Sequence, residues 1–215
     1  MRPDLRLYLV TGPVPRGRDL VEVVAAAVAG GVTTVQLRDK TATTDVRVAT
    51  ARRLLAVLEP AGVPLVVNDD VDAAAAVGAG VHVGTSDAAA AASRSRLGAD
   101  ALVGWSVEGL RQLDATAEVA AASYLAASPV WSTPSKTDTA TPLGLAGVTA
   151  LREHTHLPVV GIGGIDATNA GDVVRAGADG VAVISAICAA DDPEAAARGL
   201  RAVVDEALAA REVVR

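Results

Sequence analysis

Hydrophobic positions along the chain fall into eight short runs rich in Val and Leu, and a longer Ala-rich segment of helical period follows each run. Runs without strict alternation predict parallel strands that are covered on their faces by helices. Eight such units predict an α/β fold with a single closed (β/α)8 TIM barrel, and an open, doubly wound sheet is the alternative. The predicted strands are Leu5–Thr11, Thr34–Asp39, Pro64–Asp69, Gly80–Gly84, Ala101–Val107, Ser123–Val130, Pro158–Gly164 and Gly180–Ser185.

Helix starts are predicted where a polar side chain or a proline precedes an Ala-rich segment. Asp166, Thr168 or Asp192 would supply an oxygen that caps a free backbone N–H, and Gly78 and Gly177 fit helix ends. No Ser/Gly/Pro-rich linker interrupts the pattern, so we expect residues 1–215 to form one domain. The predicted helices begin near Asp19, Thr43, Val71, Asp87, Val107, Leu145, Asp166 and Pro193.

Composition narrows the class of protein. A formal net charge of -6 argues against a nucleic-acid partner, because a basic face is needed to neutralise phosphate backbones. No stretch reaches the ~18 to 20 apolar residues that span a bilayer. Charge and proline interrupt Met1–Asp4, unlike a signal peptide, so we expect no membrane partner and a cytoplasmic location. Cys188 is the only cysteine, which excludes an internal disulfide, and whether the chain forms a homo-oligomer is left open.

Polar side chains follow the second predicted strand. A period of two places Gln36, Arg38 and Lys40 on one face, with Val35 and Leu37 on the other. If this face points into the barrel, its two positive groups predict an anionic ligand. The alternative interpretation is that the charged end of the strand is exposed to solvent.

Carboxylates follow the third and fourth predicted strands. Asp69 and Asp87 could share one hard cation such as Mg²⁺, which keeps its other positions for water and substrate phosphate. The alternative is that both cap helices, as Asp70 is expected to do before Val71. His82 lies inside a strand and is expected to be a packed or hydrogen-bonded core residue.

A long segment, residues 131–143, predicts a mobile loop after the sixth strand. Thr133, Ser135 and Lys136 in this loop are donors suited to phosphate oxygens. Lys40 and Lys136 are also the only lysines among 19 basic residues, which favours sites that need a compact point charge.

The ends of the seventh and eighth predicted strands are where α/β barrels often bind a phosphate. Gly163 and Gly164 would let the backbone approach a ligand closely, although a tight turn is the structural alternative. A dinucleotide-binding fingerprint is excluded because Asp166 stands where the third glycine is required. A Ser/His/Asp or Cys/His constellation is also not legible, since His154 and His156 fall in the loop before the seventh strand.

In this order and over essentially the whole chain, these segments resemble the thiamine phosphate synthase family. The matching segments are Leu7–Thr11, Val35–Lys40, Val67–Asp69, Gly80–Gly84 with Asp87, Thr133–Lys136, Gly161–Ile165 and Ala178–Ile187. Each segment alone is weakly diagnostic, but seven in register are specific.

The resemblance implies a Mg²⁺-dependent transferase of thiamine biosynthesis, a TIM barrel that joins hydroxymethylpyrimidine diphosphate to a thiazole phosphate and releases diphosphate. Its chemistry is dissociative, because the bond to diphosphate breaks before the thiazole nitrogen attacks. Arg38, Lys40 and Lys136 would be catalytic, and Asp69 and Asp87 would bind Mg²⁺. The residues that would hold the pyrimidine diphosphate are Gln36, Arg38, Lys40, Asn68, Ser106 and Lys136. Those that would receive the thiazole phosphate are Thr133, Pro134, Ser135, Gly164, Ile184 and Ser185.

The chain departs from the family pattern at Gly12, Asp39, Thr85, Ser135 and the Trp131-Ser132 pair. These departures concern the thiazole pocket more than the reaction. Two alternatives remain, namely the related thiazole tautomerase, which would not need a diphosphate-binding cluster, and a phosphate-binding barrel that has no turnover.

Overall fold

A computed structural model describes residues 3–85, 87–133 and 141–213. The eight strands are β1 Leu7–Val10, β2 Thr34–Leu37, β3 Leu65–Asn68, β4 Gly80–Val83, β5 Val103–Val107, β6 Tyr124–Ala127, β7 Val159–Ile162 and β8 Gly180–Val183. The helices are α1 Leu20–Ala29, α2 Thr44–Leu58, α3 Val71–Val77, α4 Ala90–Leu97, α5 Thr116–Ala121, α6 Gly144–His154, α7 Ala170–Arg175, α8 Ser185–Cys188 and α9 Pro193–Val213. Among these described helices, none is long and apolar enough to cross a membrane.

The strands form a closed parallel barrel in chain order. Each strand pairs with the next, and β1 pairs with β8 through the register Leu7 to Val181 and Leu9 to Val183. This last pairing confirms the predicted barrel, because an open doubly wound sheet would leave its two edge strands unpaired.

Two apolar cores lie on opposite sides of the barrel wall. Residues such as Leu9, Val35 and Val67 point outward and pack against the helices. A smaller core fills the barrel interior around Tyr8 and Tyr124. The period-two alternation of side chains therefore separates a helix-facing layer from an interior layer in each strand.

Helix caps confirm some predicted starts. Asp19 caps α1 by accepting from the Val21 N–H at 2.7 Å, and Asp192 accepts from the Ala195 N–H at 2.9 Å near the start of α9. Gly78 ends α3 with a φ of 68°, a left-handed conformation that glycine adopts without steric cost.

Three local predictions were wrong. The helix predicted near Val107 is a 3-10 helix, Leu110–Asp114, followed by the short α5. The one predicted near Asp166 begins only at Ala170, because the Asp166 carboxylate accepts from the N–H and hydroxyl of Thr168 in a turn that precedes α7. His154 is the last residue of α6 rather than part of a loop.

Candidate active site

A cavity of about 700 Å³ opens at the end of the barrel where the strands finish. All eight strands contribute side chains to its wall, and its volume is typical of a small-molecule site. Parallel strands in a barrel bring their carboxyl ends to one rim, so side chains from distant segments meet there.

One side of the cavity carries positive charge. Gln36, Arg38 and Lys40 all line it, while Val35 and Leu37 are buried on the helix-facing side of β2. The Arg38 N–H donates to the Thr11 hydroxyl at 2.9 Å, which ties the end of β2 to the end of β1. Both cations therefore line the cavity, where Arg38 is half-buried and Lys40 is exposed to solvent.

Two carboxylates meet beside these cations. Asp69 follows β3 and Asp87 follows β4, and both side chains line the cavity close enough for Asp87 to raise the pKa of Asp69. Burial is the largest cause that raises the pKa of Asp69, and the hydrogen bond and negative charge of Asp87 raise it as well. Asn68 and Lys40 lower it, and the resulting pKa is about 6.

Neither carboxylate caps a helix. Helix α4 begins without a side-chain cap, and Asp87 instead accepts from the Gly84 N–H at 2.6 Å. Helix α3 is capped by Asp70, as predicted, through the Ala73 N–H at 2.9 Å. The capping alternative for Asp69 and Asp87 is therefore wrong.

The carboxylate pair fits one hard cation. Two repelling carboxylates that face a cavity provide the oxygen ligands that Mg²⁺ prefers, and positive charge between them would relieve their repulsion. Within the described ranges, no group of three or more His, Cys, Asp or Glu side chains could hold a metal ion. The remaining ligands would then come from water and substrate phosphate.

The opposite wall is formed by the ends of β7 and β8. Gly163 and Gly164 line the cavity and have φ values of 106° and 66°, a left-handed conformation that bends the chain where it leaves β7. A Cβ at Gly163 would lie 2.8 Å from the Pro129 side chain. Ile184 and Ser185 line the same wall.

The loop after β6 is described only at its ends. Thr133 lines the cavity, whereas Pro134, Ser135 and Lys136 lie outside the described residues. The Leu143 N–H donates to the Pro129 carbonyl at 2.9 Å, so the two ends of the loop are held together. The loop therefore leaves from the cavity and returns beside it.

Asn68 and Ser106, which the resemblance assigns to the pyrimidine diphosphate, also line the cavity, and other lining residues were missed. Glu108 and Tyr8 belong to this second group, and His82, predicted as a core residue, is both buried and part of the wall. Tyr8 could have been found from the sequence, because it alternates with Leu7 and Leu9 and is one of two tyrosines in a chain without phenylalanine.

Comparisons with known proteins point to one family. The family model described as "Thiamine monophosphate synthase" matches residues 7–187. A thiamine-phosphate synthase of Albidiferax ferrireducens is 50% identical over 203 residues, which cover 94% of this chain and 92% of the relative. One from Natronomonas pharaonis is 50% identical over 212 residues, covering 95% and 97%. The solved structure of a thiamine phosphate pyrophosphorylase from Pyrococcus furiosus superposes with a TM-score of 0.85 at 35% identity, covering 96% of this chain and 98% of that one.

Proposed function

Because the chain belongs to the thiamine monophosphate synthase family, we propose that it joins 4-amino-2-methyl-5-hydroxymethylpyrimidine diphosphate to a thiazole phosphate, giving thiamine phosphate and diphosphate. The observation that carries this proposal is the meeting of Arg38 and Lys40 with the paired carboxylates Asp69 and Asp87 in one cavity. A departing diphosphate needs this combination of fixed cations and metal ligands.

Asp69 and Asp87 would hold a Mg²⁺ ion through their carboxylate oxygens. The ion supplies positive charge that stabilises the leaving diphosphate. Arg38, Lys40 and Lys136 would bind the oxygens of the same diphosphate. The planar Arg38 guanidinium can bind two oxygens side by side, whereas each lysine ammonium is a compact point charge.

In the proposed reaction, the C–O bond to diphosphate breaks first, and the electron-rich aminopyrimidine delocalises the positive charge left on its methylene carbon. The thiazole nitrogen then forms the new C–N bond. Gln36, Asn68 and Ser106 would hold the pyrimidine diphosphate. The thiazole phosphate would lie against Thr133, Pro134, Ser135, Gly164, Ile184 and Ser185.

The cavity wall also helps to exclude water. Val160, Ile162 and Ala182 give its inner part an apolar lining. In the proposed reaction this lining would limit the access of water to the carbocation, and the fixed charges would act more strongly than they do in water.

The thiazole tautomerase alternative is disfavoured by the cluster of cations and carboxylates, which a reaction without diphosphate would not need. A barrel without turnover has only the departures at Gly12, Thr85, Trp131, Ser132 and Ser135 in its favour. As part of the proposal, residues 1–215 form one catalytic domain that works in the cytoplasm.

The test is product formation by the purified protein with Mg²⁺ and both phosphorylated precursors. We expect one thiamine phosphate and one diphosphate per turnover, measured by chromatography and by a coupled diphosphate assay. A reaction without the pyrimidine diphosphate is the control, in which isomerisation of the thiazole phosphate would indicate a tautomerase. Absence of thiamine phosphate at saturating substrates would overturn the proposal.

A further inference from the structure

Five side chains form one line of hydrogen bonds that crosses the barrel interior along the wall of the cavity. The Gln36 amide nitrogen donates to the Tyr8 hydroxyl at 2.9 Å, and the Tyr8 and Tyr124 hydroxyls are 2.8 Å apart. The Tyr124 hydroxyl lies 3.1 Å from His82 Nδ1, and His82 Nε2 lies 2.9 Å from the Ser106 hydroxyl. We call these five residues the interior chain. Its two ends, Gln36 and Ser106, line the cavity, as do the Tyr8 and His82 side chains between them.

The barrel leaves room for this arrangement at Gly104, which pairs with His82 on β4 and with Tyr124 on β6. A Cβ at Gly104 would lie 2.3 Å from both His82 Nδ1 and the Tyr124 hydroxyl. The His82 and Tyr124 rings stack above it with centroids 5.6 Å apart. Glycine at this position therefore permits the central contact of the interior chain.

Packing alone does not require the hydroxyl groups of the two tyrosines. Tyr8 and Tyr124 are the only tyrosines in a chain that has no phenylalanine, and their exposed fractions are 1% and 0%. Phenylalanine would fill the same space without a polar atom to satisfy. Burial raises the pKa of both phenols above the usual range, so each carries its proton and must donate it.

The direction of donation follows from counting protons. With Gln36 donating to Tyr8, the Tyr8 proton must go to Tyr124, and the Tyr124 proton to His82 Nδ1. The reverse order would give Tyr8 two donors and leave its own buried proton without an acceptor. His82 then carries its proton on Nε2 and donates to the Ser106 oxygen.

We propose that the interior chain holds His82 in the Nε2-H form and thereby directs the Ser106 hydroxyl proton into the cavity, while Gln36 presents its amide oxygen there. The two ends thus have opposite polarity, an acceptor at Gln36 and a donor at Ser106. Tyr8, Tyr124 and His82 are positioning residues in this scheme, since they act through the ends of the chain.

The consequence for the reaction rests on the proposed function. An aminopyrimidine diphosphate offers an amino group as donor and phosphate oxygens as acceptors, which matches the two ends. Negative charge grows on the diphosphate as its bond to carbon breaks. A Ser106 proton that cannot turn back toward His82 is already directed at that charge, so no reorientation is required in the transition state.

The first experiment reads the histidine tautomer without any turnover. Protein labelled with ¹⁵N in histidine, free of ligand and metal, is examined by two-bond ¹H–¹⁵N correlation, and His82→Asn identifies the signal. We expect the pattern of a neutral ring protonated at Nε2. A ring protonated at Nδ1 would overturn the proposal, whether or not the protein makes thiamine phosphate.

The second experiment measures steady-state kinetics of Tyr124→Phe, Ser106→Ala and the double variant. We expect kcat to fall about tenfold in Tyr124→Phe and about 100-fold in Ser106→Ala. The double variant should be no slower than Ser106→Ala, because Tyr124 acts through Ser106, and Ser106→Thr should restore most of the rate.

Thr34→Val is the matched control. Thr34 is buried on the same strand as Gln36, but its hydroxyl donates to the Asp4 carbonyl at 2.7 Å and takes no part in the interior chain. We expect this variant to lose stability and to keep kcat. Two outcomes would overturn the proposal. One is a kcat of the Tyr124/Ser106 double variant that falls by the product of the two single losses, and the other is an equal loss of kcat in Thr34→Val and Tyr124→Phe. Either outcome would mean that the interior chain contributes only to packing.

Discussion

Asp69 is held in a backbone conformation that most side chains avoid. Its φ is 62°, and it is the one non-glycine residue in the described ranges with a positive φ. Such a conformation persists where the surrounding structure imposes it, often at functional sites. The left-handed backbone of Asp69 lies between the end of β3 and Asp70, which caps α3. The Asp69 carboxylate interacts with Asp87 at the cavity.

We predict that Asp69→Asn and Asp87→Asn each lower kcat by about 100-fold, since each removes a ligand of the proposed Mg²⁺ ion. The Mg²⁺ concentration for half-maximal rate should rise in both variants. Asp72→Asn is the control, because Asp72 is exposed on α3 and pairs only loosely with Arg96 at 3.4 Å. Wild-type kinetics in both cavity variants would contradict the metal assignment.

The raised pKa of Asp69 predicts how stability without Mg²⁺ depends on pH. Its pKa is about 6 in the folded protein and 3.8 in a free side chain, so the folded state keeps a proton that the unfolded state has lost. Stability therefore falls as pH rises from about 4 to about 6. Asp69→Asn should match the wild type near pH 4 and be more stable above pH 6, by about 1 to 2 kcal/mol after solvent screening.

Denaturant unfolding in the presence of a chelator, at several pH values, measures this difference. Protons and Mg²⁺ also compete for the same carboxylate, so the apparent Mg²⁺ affinity of the wild type should weaken by up to about tenfold per pH unit below pH 6. A Mg²⁺ affinity that stays constant from pH 5 to pH 8 would show that Asp69 is not a ligand.

At the scale of the element, glycines differ in what they do for strands and helices. Gly180 begins β8, and a Cβ there would lie 1.9 Å from the Leu5 carbonyl oxygen. Gly199 lies inside α9 on an exposed surface, with open space where its Cβ would be. The first glycine allows β8 to approach the chain before β1, whereas the second makes its helix less stable than alanine would.

We predict opposite effects of the same substitution at these two positions. Gly180→Ala should lower the free energy of unfolding by about 1 to 3 kcal/mol or more, because backbone must move to admit the methyl group. Gly199→Ala should raise it by about 0.5 to 1 kcal/mol through helix propensity alone. Equilibrium unfolding in urea compares the two, and equal effects would mean that β8 is not packed as described.

At the scale of the whole molecule, the two ends of the barrel have different roles. Arg152 lies at the end opposite the cavity, where its guanidinium contacts Asp179 at 3.2 Å and the Leu157 carbonyl at 3.1 Å. It also donates to the Thr155 carbonyl. Groups at this end of a barrel hold strands and helices together, while chemistry is carried at the other end.

Arg152→Ala is therefore predicted to lower the free energy of unfolding by about 1 to 3 kcal/mol and to leave kcat of the folded enzyme unchanged. Lys136→Ala should lower kcat by about 100-fold and leave the free energy of unfolding unchanged. Thermal unfolding and steady-state kinetics on both variants test the separation. Similar turnover in the two variants would remove Lys136 from the proposed site.

Some residues of the cavity wall could be predicted from the sequence, because residues two positions apart on a strand share a face. Gln36, Arg38 and Lys40 share a face by the period of a strand, and all three line the cavity. His82 shows the limit of this reasoning, since the same period places it inside the barrel without indicating that it contacts Tyr124 and Ser106. The contact between the two tyrosines could not be predicted, because Tyr8 and Tyr124 lie on different strands and are separated by 116 positions.

The sequence by itself determined the eight strands, the helices that follow most of them and the face of β2 that carries Gln36, Arg38 and Lys40, because local periodicity depends on residues a few positions apart. Only the tertiary structure decided that β1 closes on β8, that the region after β5 forms a 3-10 helix, and that Asp69 meets Asp87. Those features depend on the register between strands and on the packing of helices over them. Register is set by the whole barrel as it closes, so no single segment contains it.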